Sequence, residues 1–309
     1  IIIDFRHDGD DDGDDDGDDD DEDGARTPDL ETITRILRYL RHKIALCSED
    51  YDAEVECIEG FARAIHGHPM ISEFIFRLGL TFANIDPWCS ALATLPSLES
   101  VVFGLQEPDT DDQRVWATNL EPLKELLRTP ALRFVRFEFF NFTNEICHAI
   151  ANALERGSSI TDITFECDCS FPDGGRATIA NALKTNITVT DVKFRGHCDE
   201  LFCNTLAAVL LFNSTLQNLI VHSTTRAISR WFSSIFLSLG MNTTLKSLSV
   251  GILDKFGDEL CAAIRNGLAK NSTLEELSLY WINPSDDDGA NSARNPLSFL
   301  RTNSTLMSL

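Results

Sequence analysis

No apolar run in this 309-residue chain approaches the ~18 consecutive residues needed to span a bilayer, which argues against a membrane-crossing helix. A P-loop, a G-x-S-x-G elbow, an H-E-x-x-H pair and a glycine-rich dinucleotide fingerprint are all missing, so the common catalytic frameworks are not written here. Basic residues are scarce: 26 Lys and Arg stand against 49 Asp and Glu, for a formal charge of −23. A chain this acidic is a poor general binder of phosphate backbones, which argues against nucleic acid as a partner. Its nine cysteines (47, 57, 89, 147, 167, 169, 198, 203 and 261) are odd in number and lack the compact spacing of a disulfide framework. That usage fits a reducing compartment and points to an intracellular, cytoplasmic protein. A secretory leader is not apparent either, since Ile1, Ile2 and Ile3 run straight into Asp4. The chain opens without Met and stops inside a strand motif at Leu309, and so reads as a fragment.

The charge is unevenly spread. Residues 8–23 hold 13 of the acids, leaving 36 acids and 26 bases, or −10, elsewhere. With nothing apolar to bury and strong self-repulsion, residues 1–26 are expected to form a disordered acidic tail. Asp12, Asp14, Asp16, Gly17 and Asp23 fall near calcium-loop spacing. No apolar-faced helix precedes them, however, and every register fits equally well, so a solvated tail is the simpler reading. Residues 27–47 read as a lead-in helix, begun by Thr27 and Pro28, and a degenerate first strand at Ile44 and Leu46.

From there to residue 309 one pattern returns. The motif L-x-x-L-x-L, seen plainly at Leu274, Leu277 and Leu279, begins at Ile71, Leu98, Leu132, Ile160, Val189, Leu216, Leu245, Leu274 and Leu306, at intervals of 27–34 residues. Between motifs the apolar period becomes helical, as in Cys147/Ile150/Leu154 and Cys203/Leu206/Leu210. Such a unit buries only part of its apolar surface by itself, so neighbouring units must stack. A further column (Gly157, Asn186, Asn213, Asn242, Asn271, Asn303) lies at the helix ends, where residues tolerant of the left-handed conformation are expected. Its five asparagines sit in N-x-S/T sequons, and a repeated turn explains them without glycosylation.

This motif, helix and period resemble leucine-rich repeats, in particular the longer ribonuclease-inhibitor-like subtype, over residues 44–309. The resemblance implies an α/β solenoid, a horseshoe with a parallel concave sheet and convex helices. It also implies a polar ladder after each strand, matched here by Asn141, Cys169, Cys198, Thr225, Asp254 and Asn283, one residue later than the family's usual offset. Thr225 and Asp254 depart from the Asn or Cys of that pattern. Cys167, Cys169, His197 and Cys198 could suggest zinc, but C-x-C followed by H-C lacks the usual pair spacing. Neither a metal nor a cofactor is expected.

Residues between the inward positions would face the concave side. These include Arg133, Arg136 and Glu138; Asp162 and Glu166; Asp191, Lys193 and Arg195; His222; Lys246; and Glu275, Glu276 and Tyr280. Concentrating Arg and Lys on one face of an acidic protein suggests an electrostatic match to a partner protein. The expected function is thus a non-catalytic scaffold or adaptor. The alternatives are an enzyme regulator such as a GTPase activator, a type found in the same repeat subtype, or a secreted recognition protein with some sequons used.

Overall fold

The computed structural model describes residues 2–4, 43–48, 60, 62–78, 85–105, 119–138, 142–166, 169–223, 229–252 and 257–281. Strands β1 (Ile2–Asp4), β2 (Lys43–Ser48) and β3 (Glu73–Leu78) come first. Then helix and strand alternate: α1 (Ile85–Ala93), β4 (Ser100–Leu105), α2 (Glu121–Leu127), β5 (Phe134–Glu138), α3 (Asn144–Glu155) and β6 (Asp162–Phe165). The series continues through α4 (Gly175–Ala182), β7 (Asp191–Gly196), α5 (Glu200–Phe212), β8 (Asn218–Ser223), α6 (Ser229–Leu239), β9 (Ser247–Ile252), α7 (Asp258–Lys270) and β10 (Glu276–Trp281). All ten strands form one sheet in sequence order, each parallel to the next. Each helix packs against the helices of adjoining repeats. Strands sit about 4.8 Å apart and helices 8–10 Å apart, so stacking both on one axis curves the sheet inward. The fold is a leucine-rich repeat solenoid with a concave sheet and convex helices.

The motif residues explain the core. Leu132, Val135 and Phe137, and Ile160, Ile163 and Phe165 after them, are at most 1% exposed. At the third motif position four phenylalanines stack in file: Phe103–Phe137 at 5.3 Å, Phe137–Phe165 at 5.5 Å and Phe165–Phe194 at 4.9 Å between ring centroids. The helical stripe Cys147/Ile150/Leu154 closes the other side and is equally buried. Caps fix where helices start: Thr143 accepts from the Ile146 N–H ahead of α3, and Asp199 from the Phe202 N–H ahead of α5.

Two expectations change here. First, β1 lies within the stretch read as an acidic tail and pairs with β2, with Ile2 opposite Ala45, so the sheet begins earlier than the repeat pattern indicated. Second, Asn213 and Asn271 are not left-handed. They are extended, at φ −79°, ψ 134° and φ −82°, ψ 132°, whereas Gly157 of the same column takes a positive φ, 87°. The asparagines serve through their side chains. Each is 4–7% exposed, and its Nδ2 donates to a carbonyl at the helix end one repeat back: Asn186 to Leu154, Asn213 to Leu183, Asn242 to Leu210 and Asn271 to Leu239, at 2.6–2.8 Å. The Oδ1 atoms accept from the two N–H groups that lead into the next strand, as at Thr215 and Leu216. A glycan would need the Nδ2 that these bonds already use, so at these four sites the sequon is a turn.

The lead-in helix, the acidic run at 8–23 and the rung beginning at Leu306 lie outside the described residues. So do Asn141, Thr225, Asp254, Asn283 and Cys167.

Candidate binding face on the concave sheet

Side chains alternate along a strand, so the residues between the buried ones leave the sheet on its concave side. Register aligns them in rows across the strands. Phe134, Asp162, Asp191, Asn218, Ser247 and Glu276 form the first row. Arg136, Thr164, Lys193, Ile220, Ser249 and Ser278 form the second. Arg195, His222, Gly251 and Tyr280 continue the third, which Glu138 and Glu166 enter at the ends of β5 and β6.

At the centre the charges meet. Glu166, with a side chain 8% exposed, takes Arg136 Nη2 at 3.0 Å and Lys193 Nζ at 2.8 Å on Oε1, and Arg195 Nη1 at 3.3 Å on Oε2. Arg136 Nε also reaches Glu138 Oε1 at 2.8 Å. Burial alone would raise the Glu166 pKa, but the Lys193 hydrogen bond and the charges of Lys193, Arg136 and Arg195 outweigh it and hold the carboxyl below its ordinary value. Glu166→Gln is therefore expected to cost about 3 kcal/mol at pH 7, since it leaves three converging cations without their shared anion. Because the folded pKa is depressed, the stabilisation is present above the unfolded value near 4.3 and is lost as pH falls through the folded value. Urea unfolding of wild type and variant should differ at pH 7 and converge as acid protonates the folded carboxyl. Equal stability at pH 7 would contradict this account of the cluster.

Beyond the ion cluster, His222 Nε2 lies 2.8 Å from Ser249 Oγ, and the Tyr280 ring approaches its imidazole edge-on at 5.2 Å. Gly251 opens the space: a Cβ there would lie 3.0 Å from the His222 ring. Burial, then the nearby Arg195 and Lys193, lowers the His222 pKa, which favours the neutral ring. In the first row Asp191 accepts from Asn218 Nδ2 and Thr190 Oγ1, both at 2.6 Å. Burial, and then the facing Asp191, raises the pKa of Asp162. Phe134 and Tyr280, 48% and 52% exposed, are large side chains left open on this face.

Not every residue read as concave belongs to these rows. Arg133, Lys246 and Glu275 precede their strands and stand at the turn edge. Arg133 Nη1 donates to the carbonyls of Pro130 and Ser159, both at 2.9 Å, which ties it to two adjacent turns. Lys246 and Glu275 border a shallow recess with Thr243, Thr244, Ser272 and Thr273. The cause is that pairing starts two residues after the first motif position, so the residue before it is still in the turn. Phe134, Ser249 and Gly251 were missed by reading charge alone. The alternation that marked their neighbours marks them too.

The described ladder thiols are structural. Cys169 Sγ donates to the Phe137 carbonyl of the preceding repeat at 3.4 Å, while Cys198 Sγ reaches the Gly196 carbonyl of its own turn at 3.7 Å. Burial pushes the Cys147, Cys198 and Cys203 thiols up, away from the reactive thiolate. Arg176, 7% exposed, packs its guanidinium 4.5 Å from the Phe171 ring centroid and donates to the Cys169 carbonyl, pinning the turn after β6. Among the described residues, no three His, Cys, Asp or Glu gather as a metal site, and no helix is long and apolar enough to cross a membrane.

No family model matches the sequence, and no curated protein does. Among solved structures, the chain is similar to the actin-binding site 2 of leiomodin-1, with 18% identity and a TM-score of 0.41 over 49% of this chain and 83% of that one. It is also similar to the C-terminal domain of tropomodulin from Caenorhabditis elegans, with 11% identity and a TM-score of 0.41 over 52% of this chain and 93% of that one.

Proposed function

We propose that the chain is a non-catalytic scaffold or adaptor that binds another protein on its concave sheet. One observation carries this reading: Phe134 and Tyr280 stay about half exposed on a face whose charged residues are already tied into a fixed network. Aromatic rings held on a rigid, broad platform are the anchors protein interfaces use, and burying them against a partner gains more than leaving them in water. Cys169, Cys198 and the Glu166 carboxylate have structural partners, so the face presents recognition groups rather than a reacting centre. The acidic balance of the chain favours a protein over a nucleic acid, and the cysteine usage favours an intracellular setting.

The test is photo-crosslinking of the full chain in cells. Benzoylphenylalanine replaces Phe134 in one variant and Leu201 of α5, 58% exposed on the convex side, in another. A discrete protein adduct from position 134, missing from position 201, is the expected result. Adducts from position 201 alone would move the interface to the helices and overturn the reading.

A further inference from the structure

The charges at the centre of the concave face are layered. The two carboxylates lie underneath, with side chains 9% (Glu138) and 8% (Glu166) exposed, while Arg136, Lys193 and Arg195 lie over them at 48%, 23% and 39%. An approaching group therefore meets cations, although the cluster is nearly balanced. Arg195 is the least firmly held of the three, since its bond to Glu166 is the longest of the four. Asp162 and Asp191 stand in the adjoining row, with Asp162 in electrostatic reach of Lys193 and Arg136. Phe134 stands two residues before Arg136 on the same strand and face, about 7 Å away along the strand.

We propose that the Arg136–Lys193–Arg195 layer binds one carboxylate side chain of a partner protein, an Asp or Glu whose apolar neighbour rests on Phe134. The inference rests on the protein-binding reading of this face and names the chemistry recognised. The cations that lie outermost in this layer select a singly charged occupant. A carboxylate brings one negative charge to them, whereas a phosphate dianion brings twice the repulsion with Asp162 and Asp191 in the adjoining row. Polyanions are disfavoured further by the charge of the whole chain, −23.

The experiment uses the full chain with ¹⁵N-labelled arginine. Nε–Hε resonances are assigned through Arg136→Lys and Arg195→Lys and followed by NMR against acetyl-Leu-Glu-amide, acetyl-Leu-Gln-amide and inorganic phosphate. Saturable shifts of the Arg136 and Arg195 signals with the Glu probe are expected, with the Gln probe and phosphate about tenfold weaker. Phe134→Ser should weaken the Leu-Glu probe while leaving acetyl-Gly-Glu-amide unchanged. Equal response to Glu and Gln, tighter binding of phosphate, or unmoved arginine signals would each overturn the proposal. In any of these cases crosslinking from position 134 still judges the interface separately, because it needs no acidic partner.

Discussion

Gly267→Ala is expected to destabilise the chain by about 3 kcal/mol, although alanine is the better helix former by roughly 1 kcal/mol. Gly267 lies inside α7 where that helix crosses α6. A Cβ there would collide with the Phe236 backbone carbonyl oxygen, with the carbonyl carbon at 2.9 Å. Both atoms are backbone, so relief requires the two helices to part, and each is held by the strand and turn of its own repeat. Gly240, at the end of α6, is the internal control. Its nearest atoms are 3.4 Å from a Cβ position, and Gly240→Ala should change stability by less than about 1 kcal/mol. Denaturant unfolding of the two variants distinguishes close helix packing from helix propensity, because the two explanations give opposite signs at Gly267.

The second large effect is expected at Asn213. Its Nδ2 donates to the carbonyls of Leu183 at 2.6 Å and Asn186 at 3.0 Å, and its Oδ1 accepts from the N–H groups of Thr215 and Leu216. Asn213→Ala strands buried donors and acceptors in two repeats and should cost about 3 kcal/mol. Asn213→Asp keeps the acceptor but turns a carboxylate oxygen toward two carbonyls, so it should be at least as destabilising at pH 7. Part of that loss should return as acid protonates the new side chain. If urea midpoints show Asn213→Asp to be near wild type, the side-chain ladder cannot be what joins the repeats.

The repeat was legible because burial alternates along strands and recurs along helices, which writes Leu132, Val135 and Phe137, or Cys147, Ile150 and Leu154, directly into residue type. The turn asparagines were legible as a column but not as a mechanism. Asparagine suits both a left-handed turn and a side-chain bridge, and residue type does not reveal which of its groups is used until the preceding helix end is in place. The concave rows followed from alternation, apart from Arg133, Lys246 and Glu275, whose strands begin one residue later. How Arg136, Lys193 and Arg195 share Glu166 depends on register between strands 27–30 residues apart in sequence, and nothing local encodes it. The same holds for Gly267, which looks like a weak spot in a helix until α6 is set against it.

These features join in one claim: the rungs are coupled through the turn asparagines, and that coupling keeps the concave face a single rigid platform. Hydrogen exchange of the Asn213→Ala chain, read strand by strand, tests it most directly. The expected result is faster exchange in β7, β8 and β9 together, including the strand that carries Lys193 and Arg195. Faster exchange confined to the few residues of the altered turn, with all three strands as protected as in wild type, would contradict it.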